Sequence, residues 1–175
     1  MGQNQSRHMR PREHGEGIIT AIAVGGVFII IGMLFLVTPD LGGKIGTFFS
    51  DITLKSFSFP ANTTSTISLP VPANLASHSI LYMVVAQFCI GVGILQILIL
   101  ALRAAVRSRI GRIAETVGNL VFWLGTGYLV TVFLNSSTTY REWFVFWSSL
   151  LILLGISIMV RGIILFARRR PQIKT

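Results

Sequence analysis

Two ionisable side chains, Glu115 and Arg161, lie inside otherwise apolar runs of this 175-residue chain. A charge in hydrocarbon is expensive, so such residues are first candidates for an ion or proton site, or for a buried ion pair. Glu115, Asn119 and Thr126 follow at offsets of four and eleven residues, which places them on one helix face. That stripe lies within about 80° of Gly118 and Gly125 at 100° per residue, so it can face a neighbouring helix. Two chemistries follow: a Glu115–Arg161 ion pair, or a polar site opening inward. The plainer alternative puts Glu115 at the positive end of its helix dipole and lets Arg161 extend its stem to lipid headgroups.

Other reactive constellations are thin. Gln87 and Gln96, nine residues apart, point to opposite helix faces and suit interhelical hydrogen bonds rather than one pore wall. The single cysteine, Cys89, excludes a disulfide within the chain, and with only His8, His14 and His78 beside it a zinc site is not expected. The spans carry no Ser/His pair, no paired carboxylates, no HExxH and no glycine-rich phosphate loop. No catalytic residue, cofactor or metal is therefore expected.

The elements that must position these residues follow from composition. Charged residues make up 12% of the chain and its mean hydropathy is +0.71, against about 25% charged for a soluble domain. A hydrocarbon core of about 30 Å needs about 20 apolar residues of helix. Segments 17–37, 80–102, 113–134 and 143–166 meet that length. They leave a basic tail (1–16), a long loop (38–79), a basic loop (103–112), a short loop (135–142) and a second basic tail (167–175). The first apolar run is longer than a signal peptide's and no small-x-small cleavage site follows it.

Lys and Arg set the orientation. The tails and the 103–112 loop hold Arg7, Arg10, Arg12, Arg103, Arg107, Arg109, Arg112, Arg168, Arg169, Arg170 and Lys174, whereas the opposite side holds Lys44, Lys55 and Arg141. Eleven against three puts both termini in the cytoplasm of a cell-membrane protein. The net charge of +9 is thus a topological signal and an attraction to anionic headgroups, not a nucleic-acid surface. Tyr140, Trp143 and Trp147 gather at the outer end of the fourth span, as an interfacial aromatic belt does.

The long outer loop has period-two alternation around Ile52–Phe59 and Ile67–Val71, with Pro60-Ala61-Asn62-Thr63 as a turn, so a β-hairpin is expected over about 50–72. Asn62-Thr63-Thr64 matches the glycosylation sequon in that loop, and Met1-Gly2 opens a myristoylation-like pattern with Ser6. Each span also carries small residues seven apart: Gly25 and Gly32, Ala86 and Gly93, Gly118 and Gly125, Gly155 and Gly162. Such a repeat keeps one seam facing a neighbour. The fold class read from these patterns is an all-α membrane protein, a four-transmembrane-helix bundle with a small β-hairpin-like extracytoplasmic loop. Four spans with a long first outer loop resemble claudin-like tetraspan proteins in outline, although this loop lacks the cysteine pair and tryptophan of that family.

The functional expectation is a non-enzymatic tetraspan protein, an accessory or scaffold subunit that packs against itself or other membrane proteins. The alternative is a small oligomeric channel or transporter using the Glu115 stripe. No span has the internal proline of a broken transporter helix.

Overall fold

The computed structural model describes residues 11–58 and 66–167. Gly2, Asn62, Arg7, Arg10, Arg168, Arg169, Arg170 and Lys174 lie outside them. The described residues are mostly helical, with a small two-stranded antiparallel sheet. In order they form α1 (Pro11–Val37), α2 (Leu41–Ser50), β1 (Ile52–Ser58), β2 (Thr66–Pro72), a 3-10 turn (Leu75–His78), α3 (Ser79–Ala105), α4 (Ile110–Phe133) and α5 (Tyr140–Ala167). Helices α1, α3, α4 and α5 are each long and apolar enough to cross a membrane.

Local chemistry explains the breaks. Pro39 bars the α conformation at the preceding residue, and Asp40 turns left-handed (φ 52°) while its carboxylate accepts a hydrogen bond from the Gly43 amide at 3.3 Å. A Cβ on Gly43 would lie 2.5 Å from that carboxylate, so a larger residue there would displace the cap. This cap starts α2, a helix absent from the sequence reading. Gly42, Gly43 and Gly46 lower its intrinsic propensity, but Leu41, Ile45, Phe48 and Phe49 form one apolar face that packs toward α1 and α3. At the other turn, Thr139 and Glu142 form a reciprocal capping box ahead of α5, with the Thr139 amide donating to the Glu142 carboxylate at 2.7 Å.

The hairpin pairs in register from Ile52↔Pro72 to Ser58↔Thr66. Two strands alone are marginal in water, and this pair is anchored. Phe57 meets Phe144 edge-on at 5.0 Å, the Tyr140 hydroxyl donates to the Ala73 carbonyl at 2.8 Å, and Lys55 lies over the Tyr140 ring. The opposite face leaves Leu54 76% exposed.

The spanning-length helices pack in a row, α1 against α3, α3 against α4 and α4 against α5. Helices α1 and α5 form no comparable interface, so the arrangement is an open row where a bundle was expected. A buried apolar cluster sits at the hairpin end: Val71, Leu75, Tyr82, Ala86, Val130, Leu134, Trp143 and Phe146. Trp143 belongs to that cluster, while Trp147 alone keeps the exposure expected of a membrane-interface aromatic.

Small residues mark the row's interfaces, though only some of the expected ones. Ala86 is buried, a Cβ on Gly93 would strike Leu124, and one on Gly125 would strike Leu153. A Cβ on Gly118 would lie 3.1 Å from the Ser157 carbonyl oxygen. The α1–α3 contact instead uses Gly26 against Leu95 and Gly91 against Ile30. Gly25, Gly32, Gly155 and Gly162 have nothing within 4 Å of a built Cβ. They face away because α1 and α5 end the row. Gly118→Val should therefore lower the thermal melting point in detergent, with an overpacking loss of about 1–3 kcal/mol. Gly32→Val should leave the melting point nearly unchanged.

Candidate functional site

Polar side chains collect at the two ends of the row. At the hairpin end, Asp51 closes α2 and begins the hairpin. Its carboxylate accepts the Asn74 amide at 2.9 Å and the His78 Nε2 at 2.9 Å, while its carbonyl accepts the Ala73 amide at 2.9 Å. An ionised carboxylate can only accept, so Nε2 is the donor. Phe48 packs edge-on against His78 at 5.1 Å and against Tyr82 at 6.5 Å. This knot ties α2 and both strands to the start of α3. The Asn74 amide, then the His78 contact, hold the Asp51 carboxyl below its ordinary value.

Beneath α2 lies a groove of about 340 Å³ lined by Ile31, Leu34 and Phe35 of α1, Leu41, Ile45, Phe48 and Phe49 of α2, and Leu81, Val84, Val85 and Phe88 of α3. Every lining residue is apolar. The groove continues the apolar surface of helices that are long and apolar enough to cross a membrane.

At the other end, the turn between α3 and α4 is a Schellman motif. The Ser108 amide donates to the Arg103 carbonyl at 2.9 Å and the Arg107 amide to the Ala104 carbonyl at 3.1 Å, with Arg107 left-handed (φ 52°). Arg103 is 9% exposed, and its guanidinium donates to both the Arg112 carbonyl and the Thr116 hydroxyl. Thr116 is 1% exposed and itself donates to the Arg112 carbonyl at 2.9 Å. The side chain thus fastens the end of α3 to the first turn of α4. Its Nε is buried without a partner, as are the hydroxyls of Ser108, Thr126 and Tyr82.

The expected polar stripe is dispersed. Glu115 is partly exposed and lies 3.9 Å from Arg112, one turn earlier on its own helix. The Glu115–Arg161 pair is not among the ion pairs of the described residues. Arg161 sits on α5 with its side chain exposed and only its Cβ near Gly118. Asn119 is exposed and Thr126 is buried among packed helices. The difference is rotational: Gly118 turns to α5, which carries Glu115 and Asn119 to the edge of that contact. Gln87 is exposed and Gln96 half-buried. Among the described residues, no three His, Cys, Asp or Glu side chains come together to hold a metal.

Sequence reasoning missed Arg103 and the Asp51–His78 knot. From sequence, Arg103 reads as one more charge of the basic 103–112 loop, although Arg112 and Thr116, four apart on the next helix, signal partners. His78 stands out in the sequence only as a possible metal ligand, although it is the loop's one imidazole, with Asp51 at the other root of the hairpin. Compared with known proteins, the chain matches no protein-family model, no curated protein and no solved structure.

Two outcomes follow. Thr116→Val removes a buried acceptor from a guanidinium and should reduce stability by about 1–3 kcal/mol, read by thermal unfolding. Thr131→Val, which deletes a hydroxyl bonded only within its own helix at 2.7 Å, should have little effect. Because the folded Asp51 titrates below the unfolded group, its stabilisation is complete above the ordinary carboxylate value of about 3.9 and is lost as pH falls through the lower folded value. Unfolding scans between neutral pH and pH ~3 should show that loss, and Asp51→Asn should flatten it.

Proposed function

We propose that the chain is a non-enzymatic tetraspan membrane protein, a scaffold or accessory subunit that packs against copies of itself or other membrane proteins. One observation supports this most: the two end helices carry small-residue faces that meet nothing. On α5, Ser148, Gly155 and Gly162 lie about 160° round the helix from Leu150, Leu153 and Ser157, which face α4. On α1, Gly25 and Gly32 lie about 130° from Gly26 and Ile30, which face α3. Small residues let membrane helices approach closely, and such approach is the main source of their association. An open row with smooth, glycine-bearing edges suits lateral assembly.

In this reading the protein crosses the cell membrane four times, with both termini and the Arg103–Arg112 turn in the cytoplasm against anionic headgroups, and binds no nucleic acid. The channel alternative gains no support from the geometry. Glu115 is paired along its own helix, and Asn119 and Thr126 do not join it in one cavity.

Gly32→Leu and Gly155→Leu add side chains in open space, so the isolated fold should tolerate them. If the faces are used, either variant should reduce the size of the assembly, measured by photobleaching steps in bilayer nanodiscs or by mass in mild detergent. Unchanged assembly in both variants at wild-type melting temperature counts against the proposal.

A further inference from the structure

The arginine end contains a cavity that the assembly reading does not use. It has a volume of about 550 Å³ and is lined by Ile110 and Ile113 of α4, Ile164 and Ala167 of α5, and Arg107 and Ser108 of the α3–α4 turn. That volume falls within the range of small-molecule sites. Its lining is divided, with isoleucines along the helices and an arginine and a serine at the end.

We infer that this cavity binds one anionic phospholipid, with the phosphate at Arg107 and Ser108 and acyl chain along Ile110, Ile113 and Ile164. The division of the lining matches the division within a lipid, at the end of two helices long and apolar enough to cross a bilayer. Basic pockets between membrane helices are established sites for such headgroups.

Charge at this end favours an anion. Arg103, Arg107, Arg109 and Arg112 fall within ten residues. Glu115, the one acid in α4, lies 3.9 Å from Arg112. Arg103 is held by hydroxyl and carbonyl acceptors, which carry no countercharge. In sequence, Ala167 leads directly into Arg168-Arg169-Arg170.

The polar groups around the turn are also incompletely used. The Ser108 hydroxyl has no hydrogen-bond partner within the protein, and Ser108 lines the cavity. Arg109, at the N-cap of α4, makes no side-chain cap, which leaves the Ile110 and Gly111 amides without one, whereas the Arg112 amide donates to the Arg109 carbonyl at 2.9 Å. Arg107 occupies a left-handed conformation that favours glycine, which places a cation at the rim where glycine would relieve the backbone.

General headgroup attraction needs no cavity and no stoichiometry, which makes the two separable. The full-length protein would be purified, delipidated and titrated with phosphatidylglycerol, with phosphatidylcholine of the same chains, and with inorganic phosphate, bound lipid being counted by native mass spectrometry. One phosphatidylglycerol should be retained saturably in preference to phosphatidylcholine. Arg107→Gly suits the turn and removes the charge, and it should weaken retention about fivefold, the factor expected of one arginine beside an anionic surface. Ile164→Trp fills the apolar wall without touching charge and should abolish retention, whereas Ile152→Trp, on an exposed part of α5, should not.

Equal retention of both lipids, or unchanged retention in Arg107→Gly and Ile164→Trp, overturns the site. Saturation by inorganic phosphate alone also overturns it and points to a free-phosphate site. The wild-type comparison decides the matter even if a variant unfolds. The inference rests on the helices crossing a bilayer, and resistance of the protein to alkaline carbonate extraction tests that crossing separately.

Discussion

Close approach between helices is the constraint on which this structure depends. In hydrocarbon, lipid tails are as apolar as leucine, so helices gain little by burying side chains against one another. They associate through packing and hydrogen bonds instead. Helix α4 shows the result on two sides: Gly125 receives Leu153 and Gly118 nears the Ser157 carbonyl from α5, while Gly127 receives Ile90 from α3. Leu124 of α4 fills the space over Gly93 in return. Helix α1 joins by the same device through Gly26 and Gly91. Because each of these contacts is pairwise, the helices can form a row, and nothing in the packing requires the row to close.

The two ends of the row are finished differently. The hairpin end gathers aromatic rings and a buried apolar cluster, and it fixes an intrinsically weak hairpin through Asp51, His78 and Tyr140. The other end has a short turn held by a Schellman motif and a buried guanidinium. Burial of a cation without a carboxylate partner is tolerable only where strong acceptors surround it. The Arg112 carbonyl and Thr116 hydroxyl supply these at the helix start, where α4 and α3 meet. The contrast leaves one end mechanically tied and the other electrostatically positive.

The outward glycine faces on α1 and α5 follow from the open row. A closed bundle would hide Gly32 and Gly155 inside. It would also press α1 against α5 and leave less exposed apolar surface. Since the row stays open, the same small-residue repeat serves two purposes: internal contact in α3 and α4, and outward-facing surface in α1 and α5.

The sequence by itself determined the four apolar helices, the antiparallel hairpin and the basic character of one end. Length and hydropathy state what solvent a segment needs, and strict alternation states which residues share a strand face. These properties are local. Rotation of each helix about its axis is not local, and only the tertiary structure decided it. That rotation turned Gly26 rather than Gly25 to α3, turned Gly118 toward α5, and carried Glu115 away from Arg161 to a neighbour one turn back. Helix α2 was hidden for a related reason: three glycines argue against a helix until burial of Leu41 and part-burial of Ile45 and Phe48 outweigh their propensity. Arg103 shows the same limit in one residue. Its position at the end of an apolar run reads as a charge facing water, and only the approach of α4 made it a buried clasp between two helices.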